Sequence, residues 1–306
     1  MPLDYKRFNP PEDCVSYKRF TKDSLKSPEQ LENEILIKEE LRKDGRALSE
    51  TRPIFVSTEA VSQAKGSAYV ELGSTKVICS VYDPREIPHQ NEFSQLGHLF
   101  CEVKFAPFSC PRQRRSHAPD AEERTLSAAL KQALEPVVCR NMFPNYQVDI
   151  FVYIIENNGS CFAAAINAAG LALVDAAVPM YDIVTASSMA VVGDNYFLDP
   201  TEEEEFVALN NTGDINHGVI TMATMDVLQQ ITNFTQIGSM DVTSVNLAMV
   251  KLEQECANLV PVIQQCIVKK TVEGLKIKKK LEDAAKEREK TLDDKIDIWK
   301  KKLQAG

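Results

Sequence analysis

Five acids crowd the stretch FLDPTEEEEF (197–206): Asp199, then Glu202, Glu203, Glu204 and Glu205. Clustered carboxylates can hold a divalent metal or share acid and base roles. They can also sit at a helix start, favoured by its dipole, without doing chemistry. That third reading covers every residue here: Pro200 pre-sets the backbone, and Thr201 with Glu204 matches the Ser/Thr-x-x-Glu capping pattern.

Two other stretches carry groups suited to anions. PRQRRSH (111–117) sets Arg112, Arg114 and Arg115 near a strand end. There, guanidinium forks can grip phosphates, or simply face solvent in a loop. ENNGSC (156–161) joins a strand to a helix, so Gly159 and Ser160 offer backbone amides at a helix N-terminus. Any strand-to-helix turn favours the same residues. No GxGxxG, GxxxxGK[ST], HExxH, GxSxG or CxxC pattern occurs, and the histidines at 89, 98, 117 and 217 are dispersed. Neither a metal site nor a bound cofactor is expected.

The elements that position these residues belong to a 306-residue chain, 44% hydrophobic and 26% charged. Its length suits one large or two ordinary domains. No apolar run approaches the roughly 18 residues of a membrane span, and MPLDYKRFNPPEDC lacks a signal core. The eight cysteines read as reduced thiols of an intracellular protein. Net charge is −9, but residues 275–306 hold 11 basic and 7 acidic groups, so the tail is +4 and the rest −13. An acidic body argues against broad binding of nucleic acid through its own surface.

Residues 1–40 read as an arm, with YKRF at 5–8 and again at 17–20. Alternation predicts strands at 67–72, 75–82, 101–108 and 148–157, the first two joined by a Gly73-Ser74 turn. Further strands are predicted at IVTASSMAVVG, FVALNN and INHGVITMATMDV. Helices are predicted over 120–144, 161–177 and about 241–273. Grouped strands and helices favour α+β layers. From Ile277 a separate charged helix begins, with apolar or small residues at 277, 281, 285, 292, 296, 299 and 303. It is either a solvated extension or an arm lying on a neighbour.

Together RKDGRALSETRPI, AKGSAYVELGSTKVICSVYDPRE, APFS, ERTLSAALKQALEPVV and DIFVYIIENNGSCFAAAINAAGLALVDAAVPMYDIV resemble the RNase PH family, from about Leu41 to Lys270. The resemblance implies an α+β fold of two similar βαβα-type halves, spanning 41–274 between the arm and a charged helical tail (275–306). Active members add phosphate across the last phosphodiester of RNA. They use a Gly-Ser-Arg turn for the phosphate, two acids six residues apart, and an arginine pair for the RNA backbone. Here Cys161 stands at the phosphate arginine, Ala121 and Glu122 at the arginine pair, and Asp199 and Glu205 at the acids. A thiol cannot supply the fork and charge a phosphate dianion needs, and Glu122 would repel RNA.

SQAKGSAY, VPMYD and FLDPT are most similar to a ring subunit of the eukaryotic RNA exosome. The resemblance therefore implies a non-catalytic scaffold in a hetero-hexamer with other RNase PH-like subunits. Cap subunits with OB-fold and KH domains would sit on it, and RNA would pass through the shared channel near Arg112, Arg114 and Arg115. Nuclear, nucleolar and cytoplasmic locations are implied with it, and no membrane. The rival is an active phosphate- or metal-dependent 3′-to-5′ exoribonuclease using Asp199 and Glu205.

Overall fold

A computed structural model describes residues 42–86, 93–110, 119–210 and 216–304. The N-terminal arm with its YKRF copies, and Arg112, Arg114 and Arg115, lie outside the described residues.

Two sheets enclose a helical layer. The first has the order β1-β2-β3-β5-β4, with β1 Ile54–Thr58, β2 Gly66–Leu72, β3 Thr75–Glu86, β4 His98–Phe105 and β5 Tyr146–Glu156. Alternating burial along β2 and β3 shows why they pair: Val70, Val77, Cys79 and Val81 point into the core while their neighbours face out. β4 runs parallel to β5 through helix α1 (Ala121–Leu134), and the other pairs are antiparallel. Helix α1 stops ten residues short of the predicted 144, because Pro136 cannot continue it.

The second sheet has the order β7-β6-β8-β9, with β6 Val184–Val192, β7 Asn195–Leu198, β8 His217–Met225 and β9 Gln230–Ser239. Helix α2 (Cys161–Asp175) lies between the sheets. It is buried from Phe162 to Leu173, and its many alanines let both sheets come close. Gly66 serves the same approach, since a Cβ there would meet the Ala176 backbone at 2.2 Å. β6 is buried at every position. Below its short pairing with β7, the buried Asn167 exchanges two hydrogen bonds with the Ala186 backbone, 2.7 and 2.9 Å, replacing ladder bonds.

Of FVALNN, expected as a strand, the described residues Phe206 to Asn210 belong to helix α3 (Glu202–Asn210). The acidic first turn starts it, and Val207 and Ala208 pack against Ala190, Val192 and Phe197 of the second sheet. Strands β7 and β9 were not expected. β9 is an edge strand with mostly polar, exposed residues, so its pattern is faint. The last helix, α4, runs without interruption from Val242 to Gln304. The two segments expected at 241–273 and from 277 are one 63-residue element, with Pro261 inside it. Its first half covers the outer face of the second sheet through Ala248 and Leu252.

Candidate functional site

The acid cluster sits where β7 turns into α3. Asp199 takes a left-handed backbone (φ 50°), as do Gly159 (φ 81°) and Ser160 (φ 54°) in the turn before α2. For Asp199 and Ser160 this conformation is costly and persists only when neighbours enforce it. The two turns touch: a Cβ on Gly159 would lie 2.3 Å from the Pro200 carbonyl. Ser160 Oγ donates to that same carbonyl at 3.1 Å and meets Ser188 Oγ at 2.7 Å.

Each acid whose partner is resolved is engaged within the chain. Arg52 clamps Asp199 with Nη2 to Oδ1 at 2.6 Å and Nε to Oδ2 at 2.8 Å, while the Arg52 backbone amide donates to Oδ2 at 3.0 Å. Burial pushes the Asp199 carboxyl up, but the Arg52 bonds outweigh it and hold the group below the usual aspartate range. Arg52 also donates to the Asn158 and Gly159 carbonyls, at 2.8 and 3.3 Å, so one guanidinium ties both turns together.

Glu204 accepts the Thr201 backbone N–H at 2.9 Å, the glutamate half of the capping pattern read from the sequence, and lies 3.6 Å from Arg42. Arg42 itself donates to the Leu48 and Leu198 carbonyls. Glu203 pairs with Lys43 on the surface.

Glu205 is the unusual one. Its Oε1 accepts the Ser160 backbone N–H at 2.7 Å, at the start of α2. Burial pushes its carboxyl up to about 7 against the opposing pull of that amide and of Arg52. The two amides expected to form an open anion site are therefore committed: Ser160 to Glu205, and Gly159 to Asn157 Oδ1 at 3.2 Å. The cavity bordered by Arg52, Ser160, Ser188 and Asp199 has a volume of about 20 Å³. That is room for about one water molecule.

Cys161 opens α2 with its side chain half-buried against the core. Ala121 and Glu122 open α1 at the same end of the first sheet and are exposed. What holds that end in place is Glu123, absent from the sequence reading. Its carboxylate accepts the Phe105 N–H at 3.0 Å and the Asp120 N–H at 2.9 Å, fixing α1 to the end of β4. Among the described residues no group of three or more His, Cys, Asp or Glu is placed to hold a metal.

The structure thus brings Cys161, Asp199 and Glu205 around one turn. The sequence reading missed Arg42 and Arg52, although both lie in the quoted RKDGRALSETRPI. Five acids in ten residues need countercharge if buried, and this basic stretch was the available signal.

A family model for the 3′ exoribonuclease family, domain 1, matches residues 50–179. The human exosome complex component MTR3 is 33% identical, over 88% of this chain and 96% of the relative. The Arabidopsis thaliana exosome complex component RRP41-like is 34% identical, over 74% of this chain and 84% of its own. The fold matches a solved Archaeoglobus fulgidus exosome with RNA bound to the active site, at TM-score 0.65 and 20% identity, covering 76% of this chain and 96% of that one. With a match of this extent at 33% identity and with the two-sheet architecture in agreement, the chain belongs to the RNase PH family of 3′ exoribonucleases.

Proposed function

We propose that this chain is a non-catalytic ring subunit of an RNA exosome, supporting 3′-to-5′ RNA processing and degradation by shaping the RNA path. The observation that carries the reading is Glu205: its carboxylate already holds the Ser160 amide at the start of α2. An incoming phosphate would meet a carboxylate there, with Cys161 in place of the arginine of active relatives. Clamping phosphate charge is most of phosphoryl-transfer catalysis, so neither Asp199 nor Glu205 has a bound phosphate to work on. Asp199 is further restrained by its three bonds to Arg52.

The partners in this reading are other RNase PH-like subunits in a hetero-hexamer, cap subunits with OB-fold and KH domains, and RNA in the shared channel. Arg112, Arg114 and Arg115 are the proposed RNA contacts. Support comes from relatives named as exosome components and from the exposed edge strand β9, where Ile231 and Ile237 face solvent. An unpaired edge is a ready site for adding a neighbour's strand. The proposed locations are nucleus, nucleolus and cytoplasm.

One observation favours the rival enzyme reading. A carboxyl near 7 is what a general acid or base requires, and Glu205 has one. Two experiments decide. Mass spectrometry of proteins co-purified from the native cell should recover exosome subunits; their absence contradicts ring membership. Purified chain with labelled single-stranded RNA, phosphate and magnesium should release no nucleoside diphosphate above a Cys161→Ala control. Turnover abolished by Asp199→Ala would establish the enzyme instead.

A further inference from the structure

Helix α4 leaves the body at Lys270, whose ammonium bridges Asp175 at the end of α2 and Glu59 beyond β1, the latter at 3.0 Å. Just before this, Cys266 Sγ lies 3.6 Å from the Val56 carbonyl of β1, the edge strand of the first sheet. Up to that point one face of the helix is covered. Leu252, Cys256 and Ile263 are no more than 1% exposed, and Ile267 packs on the core.

The apolar face continues where the body ends. Residues eleven apart return to nearly the same side of an α-helix after three turns. Leu281 therefore lines up with Leu292, and Leu281 and Trp299 lie five and ten whole turns beyond Ile263 on its own side, with Ile296 about 60° round from it. In the outer part Leu281, Leu292, Ile296 and Trp299 are 66%, 57%, 48% and 71% exposed. Lys279, Asp283 and Lys290 occupy the opposite face. A solvated spacer needs no such stripe, and large side chains in line on one face mark a contact surface.

We infer that the outer arm, residues 275–304, packs across a second protein domain seated beside the β1–α2 edge, as the inner half packs across this chain's own sheets. Three observations identify the occupant. The stripe faces the same way as the buried face of the same helix, so the occupant lies flush with the body. The arm's 30 residues reach about 45 Å at 1.5 Å per residue. A compact domain of 41–274 is itself about 45 Å across, so the arm spans one neighbour of this chain's own size. The arm segment carries 11 basic and 7 acidic groups, so the apolar strip it covers has an acidic rim. Resting on the ring reading above, that neighbour is an RNase PH-like subunit.

The test uses the full chain co-expressed with the RNase PH-like subunits of its own cell and purified as the assembled ring. A photo-crosslinking amino acid replaces either Trp299 on the stripe or Lys290 on the opposite face. The position-299 probe should link to one RNase PH-like neighbour, and the position-290 probe should not. The pair Leu292→Glu and Trp299→Glu should weaken that neighbour's binding about tenfold or more and leave the melting temperature of the isolated chain unchanged. Links to a second copy of this chain, to a cap protein or to RNA overturn the inference, as does unchanged affinity. A ring that fails to assemble around the wild-type chain removes the ring reading and this inference together. A ring that assembles with the arm unlinked removes the inference alone.

Discussion

The acid cluster and the outer arm of α4 concentrate charged and apolar groups, and the fold treats them in opposite ways. Around Asp199 the polar groups turn inward: Arg52, Glu204 and Glu205 each meet a partner far along the chain, Asp199, Arg42 and Ser160. Along the arm, Leu281, Leu292 and Trp299 are left open. Groups used up inside hold the structure together, whereas groups left open are available to another molecule. On the function proposed above, the cleft serves architecture rather than chemistry, and the arm carries the contacts left for another molecule.

The sharpest way to break this contrast is to remove a group the interior depends on. Arg52→Ala leaves the Asp199 carboxylate, 5% exposed, without its bidentate partner and with only Arg46 Nη1, 3.8 Å away, as countercharge. Stranding one member of a buried pair costs about 3–5 kcal/mol, to be read by urea denaturation. A loss under about 1 kcal/mol would mean the clamp is not structural.

The same substitution at two places on one helix face sharpens the comparison further. Ile263 is 1% exposed and Ile296 is 48% exposed, although they lie within about 60° of each other around the same helix. Ile263→Ala should destabilise the isolated chain by about 2–5 kcal/mol, and Ile296→Ala by no more than about 0.5. Equal losses would show that the arm is buried in the isolated chain as well.

A smaller effect concerns pH. Because the folded-state carboxyl of Glu205 titrates near 7 rather than at the ordinary 4.5, the native state holds a proton that the unfolded state has released. Stability should therefore fall as pH rises from about 4.5 to 7, and level off above. With Glu205 partly buried, the loss is on the order of 1–2 kcal/mol. Thermal melts of Glu205→Gln should show a flatter profile over this window. Asp199 acts with the opposite sign: its stabilising pair with Arg52 is lost only as pH falls below the ordinary aspartate range.

Much of the scaffold was legible in the chain. Apolar patterning located β2, β3, β5, β6 and β8, since each has an apolar face or is wholly buried, and found β4 three residues late, at 101–108 against His98–Phe105. β9 was not legible because one solvated edge leaves no strict alternation. FVALNN misled because Phe206 and Val207 favour strands locally, whereas the Glu204 contact with the Thr201 amide starts the helix at Glu202, four residues earlier. At the site, Cys161, Asp199 and Glu205 are singled out through the family resemblance, and the structure places all three around one turn. Their partners could not be read in advance, because Arg52 and Asp199 are 147 residues apart and only the fold brings them together. The amide contact of Glu205 depends on two left-handed turns that propensity does not reveal.

The claim that the site is closed by its own acid is tested most directly at the Ser160 amide. Its resonance in a pH titration should report the neighbouring carboxyl, with an apparent pKa about 7, and should not move when phosphate is added. A saturable, phosphate-dependent shift of that amide would contradict the account, because it would mean that phosphate displaces Glu205 and that the anion site is still open.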